Sequence, residues 1–275
     1  MKKILAILVS AGLCLGVAAC TSTDLSGFDE VSMSQPQKTE ALSDSEIKEM
    51  YSNPEKFVDR TVTLTGKVFS SPETDKDGVY FQMFHDTENH DLNTVIAYFD
   101  PAFDLQSNDY IKVTGIVKGT FEGSNVFGGS VSVPLIVADT LEKSSYAEVV
   151  SPALKTITPI DTSITQYNYT VSLTKVEFAK KETRLYFKVE NAGKATFNLY
   201  SFNAKLVQNG RQYEEETNHD ADYPEIQSGL LPGVTTEGII TFPAIDQADF
   251  QVFLEAHSDD YDEDFEAYIF DVSVE

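Results

Sequence analysis

Val62-Thr63-Leu64-Thr65-Gly66-Lys67-Val68 has a near-copy in Ile111-Lys112-Val113-Thr114-Gly115-Ile116-Val117. In each, apolar residues alternate with polar ones, the period of a strand buried on one face. Each also carries a glycine at an inward position. A glycine there weakens a strand unless the sheet must bend sharply or another backbone must come close. A small closed barrel requires such bends.

Three more runs surround this pair. Val79 to Phe84 follows a turn rich in Asp and Gly, Thr94 to Phe99 is next, and Ser130 to Leu141 comes last, with Val133, Leu135 and Val137 read as inward. Ahead of them, Ser43-Asp44-Ser45-Glu46 has the spacing of a capping box. Ile47, Met50 and Tyr51 follow at helical spacing, and Asn53-Pro54 ends the helix.

Asn53-Pro54-Glu55-Lys56-Phe57 together with the two Thr-Gly strands resembles bacterial OB-fold domains of the anticodon-binding-like type, over residues 44–142. The resemblance implies a five-stranded barrel with a short helix. Ligands would lie on the face of its second and third strands, here presenting Tyr80, Phe84 and Tyr98. Aromatic residues on such a face can stack single-stranded nucleic acid or hold an oligosaccharide. The loops beside them carry Asp86, Glu88, Asp91, Asp100 and Asp104 instead of lysines, which opposes phosphates, so no nucleic acid is expected.

Residues 143–165 read as a linker, with Pro152 and Pro159 and weak periodicity. Beyond it Val171 and Leu173, then Leu185, Phe187 and Val189, then Phe202, Ala204 and Leu206 alternate. Gln208-Asn209-Gly210-Arg211 is a type I′ hairpin signal. Gly238 to Phe242, Gln251 to Glu255 and Ala267 to Val274 complete the strands. Several short strands separated by turns suggest a sandwich. Val189-Glu190-Asn191-Ala192-Gly193-Lys194, Leu231-Pro232-Gly233 and the run from Gly238 resemble the immunoglobulin-like domain of unknown function found on Gram-positive surface lipoproteins. That resemblance covers about residues 166–256 and implies a fold but no activity. The expected fold class is therefore all-β: an OB-like barrel over 44–142 and an immunoglobulin-like sandwich over 166–275.

The N-terminus fixes the expected compartment. Lys2 and Lys3 precede an apolar run from Ile4 to Ala19, shorter than the roughly 20 residues a membrane span needs. Val17-Ala18-Ala19-Cys20 resembles a bacterial lipobox. The resemblance implies cleavage of residues 1–19, lipid on Cys20, and anchoring at the outer face of a Gram-positive cell membrane. Two acyl chains anchor stably where one does not. Cys14 falls within the leader, so no internal disulfide is available to the exported chain. Residues 21–42 are mostly polar, and a flexible tether of that length reaches roughly 25 Å.

The chain of 275 residues has a net charge of −24. Such a surface repels nucleic acid and favours basic partners or cations, and it also confers solubility. Asp259, Asp260, Asp262 and Asp264 form an oxygen-rich run that would take calcium weakly, without the glycine and glutamate positions of an EF-hand. No Gly-x-Ser-x-Gly, His-Glu-x-x-His or glycine-rich phosphate loop occurs. The function expected from these residues is non-enzymatic: an anchored adaptor recognising an envelope protein or polymer, with weak calcium binding as the alternative.

Overall fold

A computed structural model describes residues 40–124, 130–158, 160 and 162–274. The leader, Cys20 and most of the tether lie outside the described residues. The fold is all-β with little helix, and it divides into two compact units at Ser145 and Tyr146.

The first unit opens with helix α1 (Asp44–Ser52) and a 3-10 turn (Pro54–Phe57). The capping box is formed, with the Ser43 N–H donating to Glu46 Oε2 at 2.9 Å. That satisfies a donor the first turn leaves without an intrahelical partner. Ile47, Met50 and Phe57 are buried against the strands that follow. These are β1 (Thr61–Val68), β2 (Glu73–Thr74), β3 (Val79–Asp86), β4 (Asp91–Tyr98), β5 (Tyr110–Ser124) and β6 (Ser130–Ser144).

The two matching stretches are direct neighbours. β1 pairs β5 antiparallel, with Val62 opposite Gly115 and Gly66 opposite Ile111. Thr63 and Thr114 join their hydroxyls at 2.8 Å. The sheet runs β1-β5-β6-β4-β3, and the end of β1 then pairs with β3 at Lys67–Phe84 and Val68–Met83, closing the circuit. β4 and β6 are parallel, and the other pairings are antiparallel. A Cβ on Gly66 would strike the Phe84 carbonyl, and one on Gly115 the Val137 carbonyl. Both glycines therefore stand where two backbones approach too closely for a side chain.

One expected orientation reverses. β6 points Ile136, Ala138 and Leu141 into the main core, whereas Val133, Leu135 and Val137 lie with a second cluster on the outer face. The reason is an extra residue in β6. Thr114 faces Thr140 and Gly115 faces Ala138, so Asp139 is bulged out and the phase shifts by one. A one-residue shift exchanges the two faces of a strand.

The second unit begins earlier than the sequence suggested. Residues 143–165, read as a linker, contain the end of β6, helix α2 (Tyr146–Val149), β7 (Ala153–Ile157) and β8 (Thr162–Gln166). β7 and β8 both pair along one edge of β9 (Tyr169–Ala179). Their outward residues are mostly polar and short, which hides an edge strand from periodicity. The remaining strands are β10 (Glu182–Asn191), β11 (Phe197–Leu199), β12 (Lys205–Gln208), β13 (Arg211–Glu214), β14 (Thr235–Pro243), β15 (Phe250–Leu254), β16 (Ala256–Ser258) and β17 (Tyr268–Val272).

One sheet runs β14-β10-β9-β7, with β8 also on β9. A second runs β13-β12-β15-β17, and β11 pairs β16. Their inner faces share one core that includes Val171, Leu185, Phe187, Leu206, Val252 and Phe270. The Asn209-Gly210 turn has positive φ at both residues, 52° and 76°, as a type I′ hairpin demands. Gly193 is forced by contact, since its Cβ would lie 2.5 Å from the ring of the buried Tyr169. Asn191 closes this turn, accepting from the Gly193 N–H and donating to the Ala195 and Leu230 carbonyls. Phe202, expected in a strand facing inward, sits in a 3-10 turn (Ser201–Asn203) and is 73% exposed. Among the described residues no helix is long and apolar enough to cross a membrane.

Candidate functional site

The three aromatics expected to form a ligand face are not brought together. In β3 and β4, Tyr80 is opposite Ala97 and Val79 is opposite Tyr98, so Tyr80 and Tyr98 point to opposite faces of the sheet. Tyr98 packs on the main core, edge-on to Phe103 at 5.6 Å. Tyr80 is buried in the outer cluster with Val95, Phe121 and Leu135. Phe84 stacks on Phe69 at 3.9 Å. At Tyr80 the face is covered by the chain itself, because β5 and β6 run on past the closed circuit and pack Phe121 and Val133 with it.

The acidic run 259–264 also fails to converge. Asp259, Asp260, Asp262 and Asp264 are exposed, and Asp260 Oδ1 accepts from the Asp262 N–H at 3.1 Å. Among the described residues no group of three or more Asp, Glu, His or Cys is placed to hold a metal ion.

A different site is built on the outer face of β10. Glu182, Arg184, Tyr186, Lys188 and Glu190 alternate with the core residues Leu185, Phe187 and Val189, so strand geometry turns them away from the core. Two segments nevertheless cover one end of this face: the chain at Ser151, and an arch formed by residues 215–228. Arg184 is only 1% exposed. Its Nη1 donates to Glu182 Oε1 at 2.6 Å and to the Ser151 carbonyl at 2.9 Å, and its Nε donates to Glu177 Oε2 at 2.8 Å. Glu177 also accepts from Tyr186 Oη and from Lys175, each at 2.8 Å.

Glu182 holds the arch. Its two oxygens accept from Asn218 Nδ2 at 2.7 Å and from Tyr223 Oη at 2.5 Å. Outside these contacts the arch grips the edge of β14. The Glu216 N–H donates to the Thr241 carbonyl at 2.9 Å, and the Ile239 N–H donates to the Pro224 carbonyl at 2.8 Å. Gly238 makes the second grip possible, because a Cβ there would lie 2.5 Å from the Ile226 nitrogen. Between arch and edge lies a cleft of about 560 Å³, within the range of small-ligand sites. Tyr223 and Asn218 line it, so its wall is fixed from behind by the buried ion pair. Ile239 supplies a half-buried apolar surface, Phe202 stands at the side, and Glu215, Asp222 and Glu225 supply carboxylates.

The charges of the network hold one another. Burial disfavours the Arg184 cation, but Glu182 and Glu177 outweigh it and raise its pKa. Burial likewise pushes Glu177 up, and hydrogen bonds from Lys175, Tyr186 and Arg184 overcome it, leaving the carboxyl below its ordinary value. Burial and the bond to Glu182 push the Tyr223 phenol well above its usual range. The cleft wall therefore presents a neutral Tyr223 at any ordinary pH.

Sequence reasoning missed this site. One signal was present: Glu182-x-Arg184-x-Tyr186-x-Lys188-x-Glu190 puts alternating charge on one strand face, with Lys175 and Glu177 at matching positions on the preceding strand. Cross-strand opposite charges of this kind stabilise a sheet. What covers them comes from residues 146–151 and 215–228, which show no periodicity.

Residues 42–149 match the DUF1980 C-terminal domain. Among curated proteins none matches the chain. A solved structure, that of a functionally unknown protein from Listeria monocytogenes EGD-e, is similar at 10% identity, with a TM-score of 0.35, over 48% of this chain and 94% of that one.

Proposed function

We propose that this chain is a lipid-anchored, extracytoplasmic adaptor without catalytic activity, which holds an envelope component or protein partner in the cleft beneath the arch of residues 215–228. The observation that carries the reading is the construction of that cleft. A 14-residue arch with no strand of its own, part of the connection from β13 to β14, is held open by the Glu182–Arg184 pair, with an aromatic at its side. Long ordered loops of this kind are the usual seat of binding, and a wall fixed in advance lowers the ordering cost of association.

In this reading the first unit is an OB-type barrel. Its closed circuit with β4 and β6 parallel supports that assignment, as do the two glycines at the closure. It serves as a spacer, since its usual ligand face is covered at Tyr80. The second unit is an immunoglobulin-like sandwich extended by the two edge strands before residue 166. Cys20 carries the lipid, the membrane is reached through it, and the polar stretch after it lifts the barrel clear; the tether ends sooner than residue 43, because Leu42 is buried in the first unit's core and its N–H donates to the Thr61 carbonyl.

Two measurements test the reading. Cys20→Ser should move the protein from the membrane fraction to the soluble fraction, and mass spectrometry should find diacylglycerol on the native Cys20; a soluble, unmodified native protein overturns the anchoring. A photo-crosslinking residue at Ala221, in the cleft, should give envelope adducts that the same residue at the exposed Tyr261 does not. Identical adducts at both places, or none, overturn the cleft as the site.

A further inference from the structure

We infer that the occupant of the cleft is an extended lysine- or arginine-rich peptide segment of a partner protein, a conclusion that rests on reading the cleft as the binding site. Glu215, Asp222 and Glu225 line it, and no lysine or arginine does. Arg184 lies behind Tyr223 and already holds Glu177 and Glu182. Net charge of the whole chain, −24, steers the same kind of partner toward the surface.

The apolar parts fit the same side chains. Phe202 is 73% exposed beside the cleft, and an aromatic face attracts ammonium and guanidinium groups. The half-buried Ile239 in the lining offers an apolar surface for the methylene stems that such residues bury while keeping their charge in water. A neutral glycan would leave three carboxylates without a counter-charge, and an anionic polymer would be repelled.

Recognition runs through side chains rather than strand addition. The β14 edge beside the cleft already spends its Ile239 N–H on Pro224 and its Thr241 carbonyl on Glu216. A peptide must therefore cross the cleft by its side chains, and sequence outside the basic positions should matter little.

The probe is fluorescein-labelled hexalysine, followed by anisotropy with the full chain carrying Cys20→Ser, against labelled hexaglutamate and a neutral chitin hexasaccharide. Hexalysine should bind, weaken with added salt, and lose about tenfold in affinity in Phe202→Ala. Asp222→Asn with Glu225→Gln should weaken it further, whereas Asp262→Asn with Asp264→Asn, on an acidic loop that does not line the cleft, should leave it unchanged. Thermal melts of all variants should match the parent, since the altered residues are exposed. An equal loss from both acidic pairs means diffuse charge attraction and overturns the inference. Binding of the hexasaccharide but not of hexalysine, abolished by Phe202→Ala, also overturns it while leaving the cleft as a binding site. No binding by any probe overturns the inference too, and the Ala221 crosslink then decides the cleft independently.

Discussion

Glu182 and Arg184 stand two residues apart on the outward face of β10, with Nη1 and Oε1 at 2.6 Å and both side chains buried. Desolvating a charge is costly, and a buried pair recovers that cost only while both members are present. Arg184→Met should therefore destabilise the second unit by about 3–5 kcal/mol, because it strands Glu177 and Glu182. The double variant Arg184→Met, Glu182→Leu should be more stable than the single one. Urea unfolding of the parent, Arg184→Met, Glu182→Leu and the double variant checks this. A double variant that adds the two single losses would show that the pair is not coupled.

Glu177 makes the same network sensitive to acid. Its carboxyl is held below the ordinary glutamate value, so its contribution is complete above the unfolded pKa of about 4.3. As pH falls through the lower folded value the carboxyl takes up a proton and that contribution is lost. Melting temperature should decline below about pH 4.3, and Glu177→Gln should be less stable at pH 7 with a shallower decline. Parallel pH profiles for parent and variant would dissociate Glu177 from the acid response.

Gly66 tests the closure of the first sheet. It lies where β1 leaves β5 for β3, with the Phe84 carbonyl and the Met83 sulfur where a Cβ would have to go. Gly66→Ala should cost about 1–3 kcal/mol, the usual scale for forcing atoms into a packed site. Lys67→Ala, on the next residue but half-exposed, should change stability by less than about 0.5 kcal/mol. Chemical denaturation of the two variants separates a steric demand at Gly66 from general intolerance in β1.

These glycines also mark where the sequence was legible. The Val-Thr-Gly stretches, the capping box and the Asn209-Gly210 turn each carry a local demand that few residues meet, so position and structure could be read together. The face of β6 could not be, because both of its faces are apolar and the bulge at Asp139 has no local signature. Phe202 reads as the first inward residue of an alternating strand, yet the chain turns there and leaves it in solvent. The candidate site was hidden for a related reason. Arg184 and Glu182 occupy positions that point outward, and only the fold reveals that residues 151 and 215–228 cover them.

Tyr223 joins that hidden pair to the cleft, which makes it the most informative single change. Its hydroxyl donates to Glu182 Oε1 at 2.5 Å and lies 3.3 Å from Arg184 Nη1. Tyr223→Phe keeps the ring and removes one bond to a charged acceptor, about 1.5–3 kcal/mol by the usual scale. Because the arch stays tied to the sheets at Glu216, Asn218, Pro224 and Gln227, the loss should appear as local opening rather than global unfolding. Amide exchange should quicken at residues 217–223 and stay unchanged through β9 and β10. Peptide affinity should fall in step, since part of the binding energy must then re-form the wall. If exchange quickens uniformly across the second unit, Tyr223 is an ordinary structural contact. If the arch loosens while affinity holds, the wall it forms is not part of the binding site.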